Sequence, residues 1–278
     1  MQLRQALTTA IEHLTEHSVG SPRMNAETLL MFVLNSDRAY LYAHPEYELT
    51  ADEQARYDEA IAERSTGRPA QYITGHQEFW GMDLIVSPAV LIPRPETEHV
   101  IETVLELARA KHAHRIVDVG TGSGCIALAL AMEMPWARVE AVDISPPALE
   151  VARANAARLQ LDHRIIFQQR DLLAGAPADA YDFVVSNPPY VPESEPEQAQ
   201  REVREFEPKM AVFAGENGLE VYRRLAPQAR AALKPSGWLV VEIGHSLAAA
   251  VHELVKDWAE VRVTPDLQGF PRVVAARR

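Results

Sequence analysis

The sequence contains very little cysteine. Cys125 is the single cysteine among 278 residues, so an intramolecular disulfide cannot form and a zinc site made of paired or clustered cysteines is excluded. Nothing in the sequence therefore depends on an oxidising compartment. The histidines His76, His99 and His245 also lack the paired spacing of metal ligands, and we assign no metal site.

Long apolar runs are absent as well. No stretch approaches the roughly 18 consecutive apolar residues that a membrane-spanning helix needs, and the opening MQLRQALTTAIEHLTEH lacks the apolar centre of a signal peptide. We therefore expect a soluble, cytoplasmic protein without a membrane partner.

Positive charge is scarce. The chain has 27 Lys and Arg against 39 Asp and Glu, a net charge of −12. Because binding to nucleic-acid phosphates needs clustered Lys and Arg, we expect no direct nucleic-acid partner. A local basic groove in an acidic protein is the alternative. A basic protein partner is compatible with this charge.

Residues 1–70 have the pattern of a small bundle of about four helices. Ser21 before Pro22 predicts an N-cap followed by proline at the first helical position. Thr50 and Glu53 predict a capping box at the start of a later helix. This region contains no catalytic constellation.

The pattern changes near residue 72. Residues 78–86 predict two short strands around a turn at Gly81. Pro95 predicts the start of a helix that runs to about Lys111. We accordingly divide the chain into a helical domain at 1–70, a hairpin at 71–92 and a larger domain at 93–278.

Strands and helices alternate along this larger domain. The predicted strands are 115–119, 139–142, 165–168, 181–186 and 238–242, and the predicted helices are 125–134, 145–159, 218–233 and 247–258. The alternation predicts an α/β fold with a doubly wound, mostly parallel sheet. Apolar segments at 261–263 and 272–274 flank a turn-rich stretch, which predicts an antiparallel C-terminal hairpin at the edge of that sheet.

A glycine-rich turn follows the first of these strands. In IVDVGTGSGCIALALA, Gly120, Gly122 and Gly124 permit a tight turn and a close approach of the backbone to a ligand. The dinucleotide fingerprint needs glycine where Cys125 stands, and the Gly-Lys-Ser/Thr phosphate loop is absent. Neither a dinucleotide enzyme nor a P-loop enzyme is favoured. A plain strand-to-helix connection is the structural alternative.

An acidic residue ends the second strand. Asp143, in EAVDIS, lies at the tip of that strand, where a carboxylate accepts hydrogen bonds from both ribose hydroxyls of a nucleoside. The turn and this acid together predict a nucleoside site without a demand for phosphate, and S-adenosylmethionine fits that description. The alternative is that Asp143 caps the helix that follows.

The fourth strand ends in a rigid corner, SNPPY. Asn187 precedes a proline and is therefore pushed toward extended backbone, while Pro188 and Pro189 have φ fixed near about −65°. The Asn187 side chain and the Pro188 carbonyl then offer two acceptors toward one point, and Tyr190 offers a flat face. This arrangement suits the planar NH₂ group of an amide or nucleobase, positioned for methyl transfer without a strong base. The alternative is a rigid loop with a core tyrosine.

Together these motifs resemble the class I S-adenosylmethionine-dependent N-methyltransferases, which have a Rossmann-like fold and act on adenine N6 or on protein glutamine N5. Three stretches narrow the resemblance to the peptide chain release factor glutamine methyltransferases. They are YITGHQEFWGMDLIVSPAVLIPRPETE at 72–98, FEPKMAVFAGENGL at 206–219 and DLQGFPRVV at 266–274. The resemblance implies a substrate-docking helical domain, a hinge hairpin and an S-adenosylmethionine-binding methyltransferase domain.

The reaction that the resemblance implies takes a methyl group from S-adenosyl-L-methionine to the glutamine side chain in the Gly-Gly-Gln motif of release factors. The products are N5-methylglutamine and S-adenosyl-L-homocysteine, and translation termination is modulated. The implied cofactor residues are Gly120, Thr121, Gly122, Ser123, Gly124, Asp143, Leu172 and Asn187. The implied clamp for the glutamine is Asn187, Pro188, Pro189 and Tyr190, with Asn187, Pro188 and Tyr190 as the catalytic set. Leu172 packs near adenine where some members of the family stack an aromatic ring.

Three alternatives stay open at this point. Ribosomal-protein glutamine methyltransferases usually lack the motif PRPETE, which this sequence has at 93–98, so the motif favours the release-factor family. An adenine-N6 methyltransferase needs base extrusion and a basic groove. The third alternative is a scaffold that binds the cofactor but has no activity. The intact Asn-Pro-Pro-Tyr motif argues against this loss of catalysis.

Two features have open roles. Arg94 either orients cofactor or substrate or fixes the hinge. The acidic segment 193–207 is either a solvated face or the surface that meets a basic part of a release factor.

Overall fold

The computed structural model describes residues 1–108 and 113–278. The chain forms two compact units, Met1–His76 and Gln77–Arg278, which we call the N-terminal and C-terminal units. A separate hinge at 71–92 stays a prediction.

The N-terminal unit is built from short helices. They are α1 (Leu3–Glu16), α2 (Pro22–Leu34), α3 (Arg38–Ala43), α4 (Ala51–Ser65) and α5 (Ala70–Thr74). Helix α1 buries Leu3 and Leu14 at spacings that keep them on one face, and this face packs in a common core with Leu29 and Leu30 of α2 and Tyr57 of α4. The unit therefore has a hydrophobic core of its own, with one short helix more than the sequence pattern predicted.

The two predicted helix starts in this unit are both present but differ in their caps. Before α4, Thr50 Oγ1 accepts the Glu53 N–H at 3.2 Å and Glu53 Oε2 accepts the Thr50 N–H at 2.8 Å, which confirms the capping box. Before α2, Ser21 is the N-cap residue and Pro22 is the first helical residue, as predicted, but the Ser21 side chain makes no capping hydrogen bond. Ser21 has a left-handed backbone (φ 49°) instead of the extended one that a capping hydroxyl needs, and Asn25 Nδ2 donates to the Ser21 carbonyl at 3.1 Å.

A tight hairpin joins β1 (His76–Phe79) to β2 (Met82–Ile85). Its two loop residues, Trp80 and Gly81, have φ of 54° and 70°, as the two-residue turn favoured by strand twist requires. The predicted pair of strands around Gly81 is confirmed.

The C-terminal unit contains a seven-stranded sheet. Its strands are β3 (Arg115–Val119), β4 (Arg138–Asp143), β5 (Ile165–Gln169), β6 (Tyr181–Ser186), β7 (Leu233–Glu242), β8 (Glu260–Pro265) and β9 (Pro271–Arg277). The order is β5-β4-β3-β6-β7-β9-β8, parallel from β5 to β7, with β9 antiparallel to β7 and to β8. The predicted mostly parallel sheet with an antiparallel C-terminal hairpin is confirmed.

Helices cover both faces of this sheet. Those that pack against the sheet are α6 (Glu98–Leu107), α7 (Cys125–Glu133), α8 (Pro146–Arg158), α11 (Glu220–Ala232) and α12 (Ala248–Val255), whereas the short helices α9 (Arg201–Phe206) and α10 (Lys209–Val212) belong to the segment between β6 and β7. Alternate strand residues face opposite sides: Ile116 and Phe183 pack with α6 and α7, whereas Val117 and Val184 pack with α11 and α12. Because these strands are buried on both faces, their sequences are nearly continuous apolar runs.

The helix predicted from Pro95 begins with a single 3₁₀ turn, Pro95–Thr97, and continues as α6. Its predicted end near Lys111 lies outside the described residues. Among residues 1–108 and 113–278, we find no helix with the length and apolar character of a membrane span.

The topology sets the position of the functional motifs. Strand β3 pairs in parallel with β4 on one side and β6 on the other, so the carboxyl ends of all three strands lie at one edge. The glycine turn follows β3, Asp143 ends β4 and Asn187 follows β6. This is the crevice where open α/β sheets bind ligands.

The capping box of α4 gives a first prediction. Thr50→Ala removes the acceptor of the Glu53 N–H, and we expect it to lower the free energy of opening of α4 by about 1 kcal/mol. Hydrogen exchange of the amides in the first turns of α4 measures this. Thr8→Ala is the control, because Thr8 lies exposed in α1 and donates only to the Arg4 carbonyl. Equal protection in the two variants would contradict the capping role.

Candidate active site

Gly120 and Gly122 form an open cradle after β3. Both have left-handed backbone, with φ of 72° and 55°, and a Cβ built on either residue meets no atom within 4 Å. Both residues line the large cavity at the carboxyl edge of the sheet. A side chain at either position would therefore occupy cavity space that a ligand would otherwise fill.

Gly124 serves packing instead. Its φ is 86°, and a Cβ there would lie 3.2 Å from Leu128 Cδ1 and 3.3 Å from Ala152 Cβ. Glycine at this position lets the start of α7 approach α8. Gly124 is not part of the cavity wall, so a direct cofactor contact from this residue stays a prediction.

Asp143 braces the glycine turn. Its Oδ2 accepts the Gly122 N–H at 2.9 Å and its Oδ1 accepts the Ser145 N–H at 2.9 Å. The cap of α8 is Ser145, whose Oγ accepts the Ala148 N–H at 3.3 Å, so the alternative that Asp143 is the helix cap is wrong. Asp143 lines the cavity, and each carboxylate oxygen keeps a lone pair for a further donor.

Two residues that the sequence reasoning missed also hold this turn. Asp118, fully buried in β3, accepts from Thr121 Oγ1 at 2.6 Å and from the Ala127 N–H at 3.2 Å, and burial raises the pKa of its carboxyl to about 7. Asn155 of α8, also fully buried, donates to the Ser123 carbonyl at 2.9 Å. An acid inside the otherwise apolar run IVDV was the available signal for Asp118. Nothing in the sequence distinguishes Asn155.

Asn187 is held by a hydrogen-bonded chain of side chains. Asn187 Nδ2 donates to Thr97 Oγ1 at 3.0 Å, and Thr97 Oγ1 donates to Glu242 Oε2 at 2.6 Å. Asn187, Pro189 and Thr97 line the cavity. With Nδ2 engaged, the free acceptor of Asn187 is its Oδ1. Neither Thr97 nor Glu242 was singled out from the sequence.

Tyr190 lies beneath this corner. A Cβ on Gly244 would come within 3.1 Å of the Tyr190 ring, and one on Gly218 within 2.4 Å of the Tyr190 carbonyl, so two distant glycines make room for the motif. The Tyr190 hydroxyl lies 3.5 Å from Glu242 Oε1. Burial raises the pKa of Tyr190, which keeps the phenol protonated.

Apolar side chains complete the wall opposite the glycine turn. Leu172 lines the cavity with a left-handed backbone (φ 50°), an uncommon conformation for leucine that is typical of functional sites. Ile144, 48% exposed, lines the cavity directly after Asp143. The sequence reasoning missed Ile144, although an aliphatic residue after a strand-ending acid was visible.

Arg94 forms an ion pair with Glu207. Glu207 is buried, its Oε2 also accepts the Ile92 N–H at 3.0 Å, and burial raises the pKa of its carboxyl. Arg94 also lines the cavity. The pair ties the segment before α6 to the end of α9, and it removes Glu207 from the exposed acidic surface that the sequence suggested.

The structure thus brings most of the predicted residues to one cavity. Its lining includes Gly120, Thr121, Gly122, Ser123, Asp143, Leu172, Asn187 and Pro189. Pro188 is buried, and Pro188 and Tyr190 lie behind the wall. In the part of the chain that the structure describes, no three His, Cys, Asp or Glu side chains cluster as metal ligands.

Comparisons with known proteins cover the whole chain. The family model of the PrmC N-terminal domain matches residues 5–75, and that of the methyltransferase small domain matches residues 98–205. The release factor glutamine methyltransferase of Koribacter versatilis is 58% identical over 279 residues, which cover 100% of this chain and 99% of the relative. That of Moorella thermoacetica is 44% identical over 281 residues, with the same coverage.

Solved structures share the fold at low identity. The hMettl16 catalytic domain, crystallised with a MAT2A 3'UTR hairpin, has a TM-score of 0.58 at 18% identity and covers 86% of this chain and 92% of its own. A methyltransferase from Pyrococcus furiosus has a TM-score of 0.53 at 16% identity, with 80% and 98% coverage. These likenesses concern the fold.

The glycine cradle gives a second prediction. Gly122→Ala places a methyl group in the cavity, and we expect the Kd for S-adenosylmethionine, measured by calorimetry, to rise at least about tenfold. Gly175→Ala is the matched control: Gly175 has φ 74°, open space around its Cβ and no place in the cavity wall. Both changes carry a similar backbone strain of about 1–2 kcal/mol. An equal effect on Kd would show that strain, and not occupancy of the cavity, matters.

Proposed function

The chain belongs to the family of release factor glutamine methyltransferases, and from that premise we propose that it transfers a methyl group from S-adenosylmethionine to the side-chain amide nitrogen of the glutamine in the Gly-Gly-Gln motif of a release factor. One observation carries the proposal. Asn187, whose Oδ1 is left as its free acceptor, and the glycine cradle line the same cavity. Family membership supports glutamine as the methylated group.

The residues around the cavity fit the cofactor. The cradle at Gly120 and Gly122 lets the ligand approach the backbone closely. Asp143 has lone pairs left for ribose hydroxyls, and Ile144 and Leu172 offer apolar surface to a purine. When bound, S-adenosylmethionine supplies a methyl group that is activated by its attachment to a sulfonium.

The corner after β6 acts on the acceptor amide. Asn187 Oδ1 accepts a hydrogen bond from the substrate amide, and Asn187 carries the clamp because Pro188, the residue of the second predicted acceptor, lies outside the cavity lining. The Tyr190 ring supports the clamp from behind the wall. An amide nitrogen is a poor nucleophile because its lone pair is delocalised. A fixed acceptor holds the nitrogen in line for attack and stabilises the positive charge that develops on it, so positioning and electrostatics do the catalytic work.

The same clamp chemistry suits the exocyclic amine of adenine, so the site by itself leaves the substrate class open. The acidic charge of −12 disfavours a nucleic-acid substrate, and the full-length relatives are glutamine methyltransferases. We therefore favour the glutamine of a release factor over a ribosomal-protein glutamine or adenine N6.

Mass spectrometry of a purified release factor, after incubation with the protein and S-adenosylmethionine, tests the substrate. We expect the Gly-Gly-Gln peptide to gain one methyl group on the glutamine side chain and S-adenosyl-L-homocysteine to accumulate in equal amount. Methylation of a ribosomal protein or of adenine, with none on the Gly-Gly-Gln peptide, would overturn the assignment.

The clamp gives a third prediction. Asn187→Ala removes the amide acceptor but leaves the glycine cradle intact, and we expect kcat to fall at least about 100-fold. The Kd for S-adenosylmethionine should stay within about threefold of the wild-type value by calorimetry. Asn217→Ala, at an exposed asparagine outside the cavity wall, serves as the control. A large rise in Kd would instead make Asn187 mainly a cofactor residue.

The exposed acids of the segment 193–207 are the proposed contact with a basic surface of the release factor. Glu193, Glu195 and Glu197 are exposed, and opposite charges on two partners accelerate their encounter. The buried Glu207 is not part of this surface.

Charge reversal gives a fourth prediction. The triple change of Glu193, Glu195 and Glu197 to Lys should lower kcat/KM for the release factor at least about tenfold at low salt, and the loss should shrink as salt screens the charges. The control reverses the exposed acids Glu150, Asp162 and Glu253, which changes the net charge equally. The same loss in both variants, or a loss independent of salt, would remove this surface from the contact.

A further inference from the structure

Three side chains from distant parts of the sequence form one buried hydrogen-bonded line. Asn187 and Thr97 are 90 residues apart, and Thr97 and Glu242 are 145 apart. The first follows β6, the second lies in the 3₁₀ turn before α6, and the third ends β7. Folding alone brings them together at the cavity, which Asn187 and Thr97 line and Glu242 does not.

We propose that Thr97 and Glu242 are positioning residues, which hold the Asn187 amide with its Oδ1 toward the cavity and its Nδ2 away from it. This inference rests on the proposed role of Asn187 as the amide clamp. Glu242 is 1% exposed and does not line the cavity, so it acts on the reaction through the side chains that it contacts, Thr97 at 2.6 Å and the more distant Tyr190 hydroxyl at 3.5 Å.

The direction of the line follows from counting protons. An ionised carboxylate only accepts hydrogen bonds, and a threonine hydroxyl has one proton. Because that proton is donated to Glu242 Oε2, Thr97 Oγ1 can only accept from Asn187. The partner atom on Asn187 must then be Nδ2, which fixes an amide orientation that coordinates alone do not distinguish. An asparagine turned the other way would present a donor to the substrate NH₂ and could not clamp it.

The surroundings of Glu242 make this arrangement sensitive to protons. Burial raises the pKa of Glu242 to about 7, and the charge of Glu96 acts in the same direction. The Thr97 hydrogen bond, the charge of Arg272 and the Tyr190 hydroxyl act in the opposite direction. Cys125 and Tyr222 also face Glu242, and their own pKa values are raised above the ordinary range, mainly by burial. Glu242 is therefore the group of this cluster that titrates near neutral pH.

Protonation of Glu242 reverses the direction of the hydrogen bonds along the line from Glu242 to Asn187. A neutral Glu242 can donate to Thr97 Oγ1, which releases the Thr97 proton for donation to Asn187 Oδ1. The Asn187 amide then turns, and its acceptor is withdrawn from the cavity. The active form is the one with ionised Glu242, so we expect kcat, measured at saturating S-adenosylmethionine, to fall as the pH decreases through about 7.

Kinetics of matched variants form the first arm of the test, the fifth prediction. Thr97→Val keeps the shape but removes the hydroxyl, and we expect kcat to fall about 10- to 100-fold, with KM and the Kd for S-adenosylmethionine within about threefold of wild type. Thr97→Ser should restore most of kcat, because it restores the hydroxyl. Glu242→Gln should remove the part of the kcat inflection near pH 7 that comes from Glu242, and any part that remains is assigned to Asp118, whose carboxyl pKa is also about 7.

Two control variants distinguish a loss of Asn187 positioning from a general loss of structure after removal of a polar group. Thr103→Val removes a buried hydroxyl of α6, the helix that follows Thr97, and this hydroxyl donates its proton to the His99 carbonyl. Asp182→Asn removes a carboxylate at the opposite end of β6, bound by the Arg115 N–H and Lys234. Both controls should keep kcat and its pH profile. In addition, Thr97→Val should have no effect on kcat when Asn187→Ala is already present, and an additive effect would overturn the proposal.

The second arm needs no turnover. The side-chain NH₂ resonances of Asn187 are identified by their absence from the spectrum of Asn187→Ala. In the wild-type protein we expect them to titrate with a midpoint near pH 7, and in Glu242→Gln to stay constant over the same range. Asn187 resonances that do not titrate in the wild-type protein, or that are unchanged by Thr97→Val, would overturn the proposal.

The two proposals fail in different ways. If the release factor gains no methyl group but the Asn187 resonances behave as expected, only the substrate is wrong. If the release factor is methylated but Thr97→Val keeps the wild-type kcat, only the positioning line is wrong.

Discussion

The parallel pairing of β3 with both β4 and β6 is the constraint on which the site depends. Parallel strands end at the same edge of a sheet, so the residues that follow the three adjacent strands β4, β3 and β6 must meet there. The glycine turn, Asp143 and Asn187 are far apart in sequence but come together through this pairing alone. The helices on both faces bury the alternating strand residues and so make the pairing obligatory, because a shift of register would expose apolar side chains.

A shell of buried polar side chains then gives the edge its shape. Asp118 and Asn155 hold the glycine turn from below, while Thr97 and Glu242 hold Asn187. Buried polar groups are costly unless each is paired. Here most of these groups pair with the backbone and side chains around the cavity, which offsets the cost and gives the donors and acceptors of the site a defined direction, whereas Asp118 Oδ1 has no hydrogen-bond partner among the described residues. Tyr190 belongs to the same shell, with Gly218 and Gly244 leaving space for it.

Much of the fold was predictable because its signals are local. The predicted strands at 115–119 and 181–186 coincide with β3 and β6, and the capping box at Thr50 and the turn at Gly81 form as their residue types require. Ser21 and Pro22 begin α2 as predicted, although the left-handed backbone of Ser21 leaves its hydroxyl without a capping hydrogen bond. Of the site, the residues with a distinctive motif were found, whereas Thr97, Asn155 and Glu242 were missed, because a threonine, an asparagine or a glutamate inside an element has no signature until its partner is known.

The sequence by itself determined the order of strands and helices, the glycine turn, the acid after β4 and the Asn-Pro-Pro-Tyr corner, since each depends on residues that are neighbours along the chain. Tertiary structure decided which atoms these motifs present to a ligand. Gly122 faces the cavity whereas Gly124 faces α8, Arg94 pairs with Glu207, and the Asn187 amide is turned by a hydroxyl 90 residues away. A hydrogen bond depends on distance and angle in space, and for residues so far apart only the folded sheet sets both.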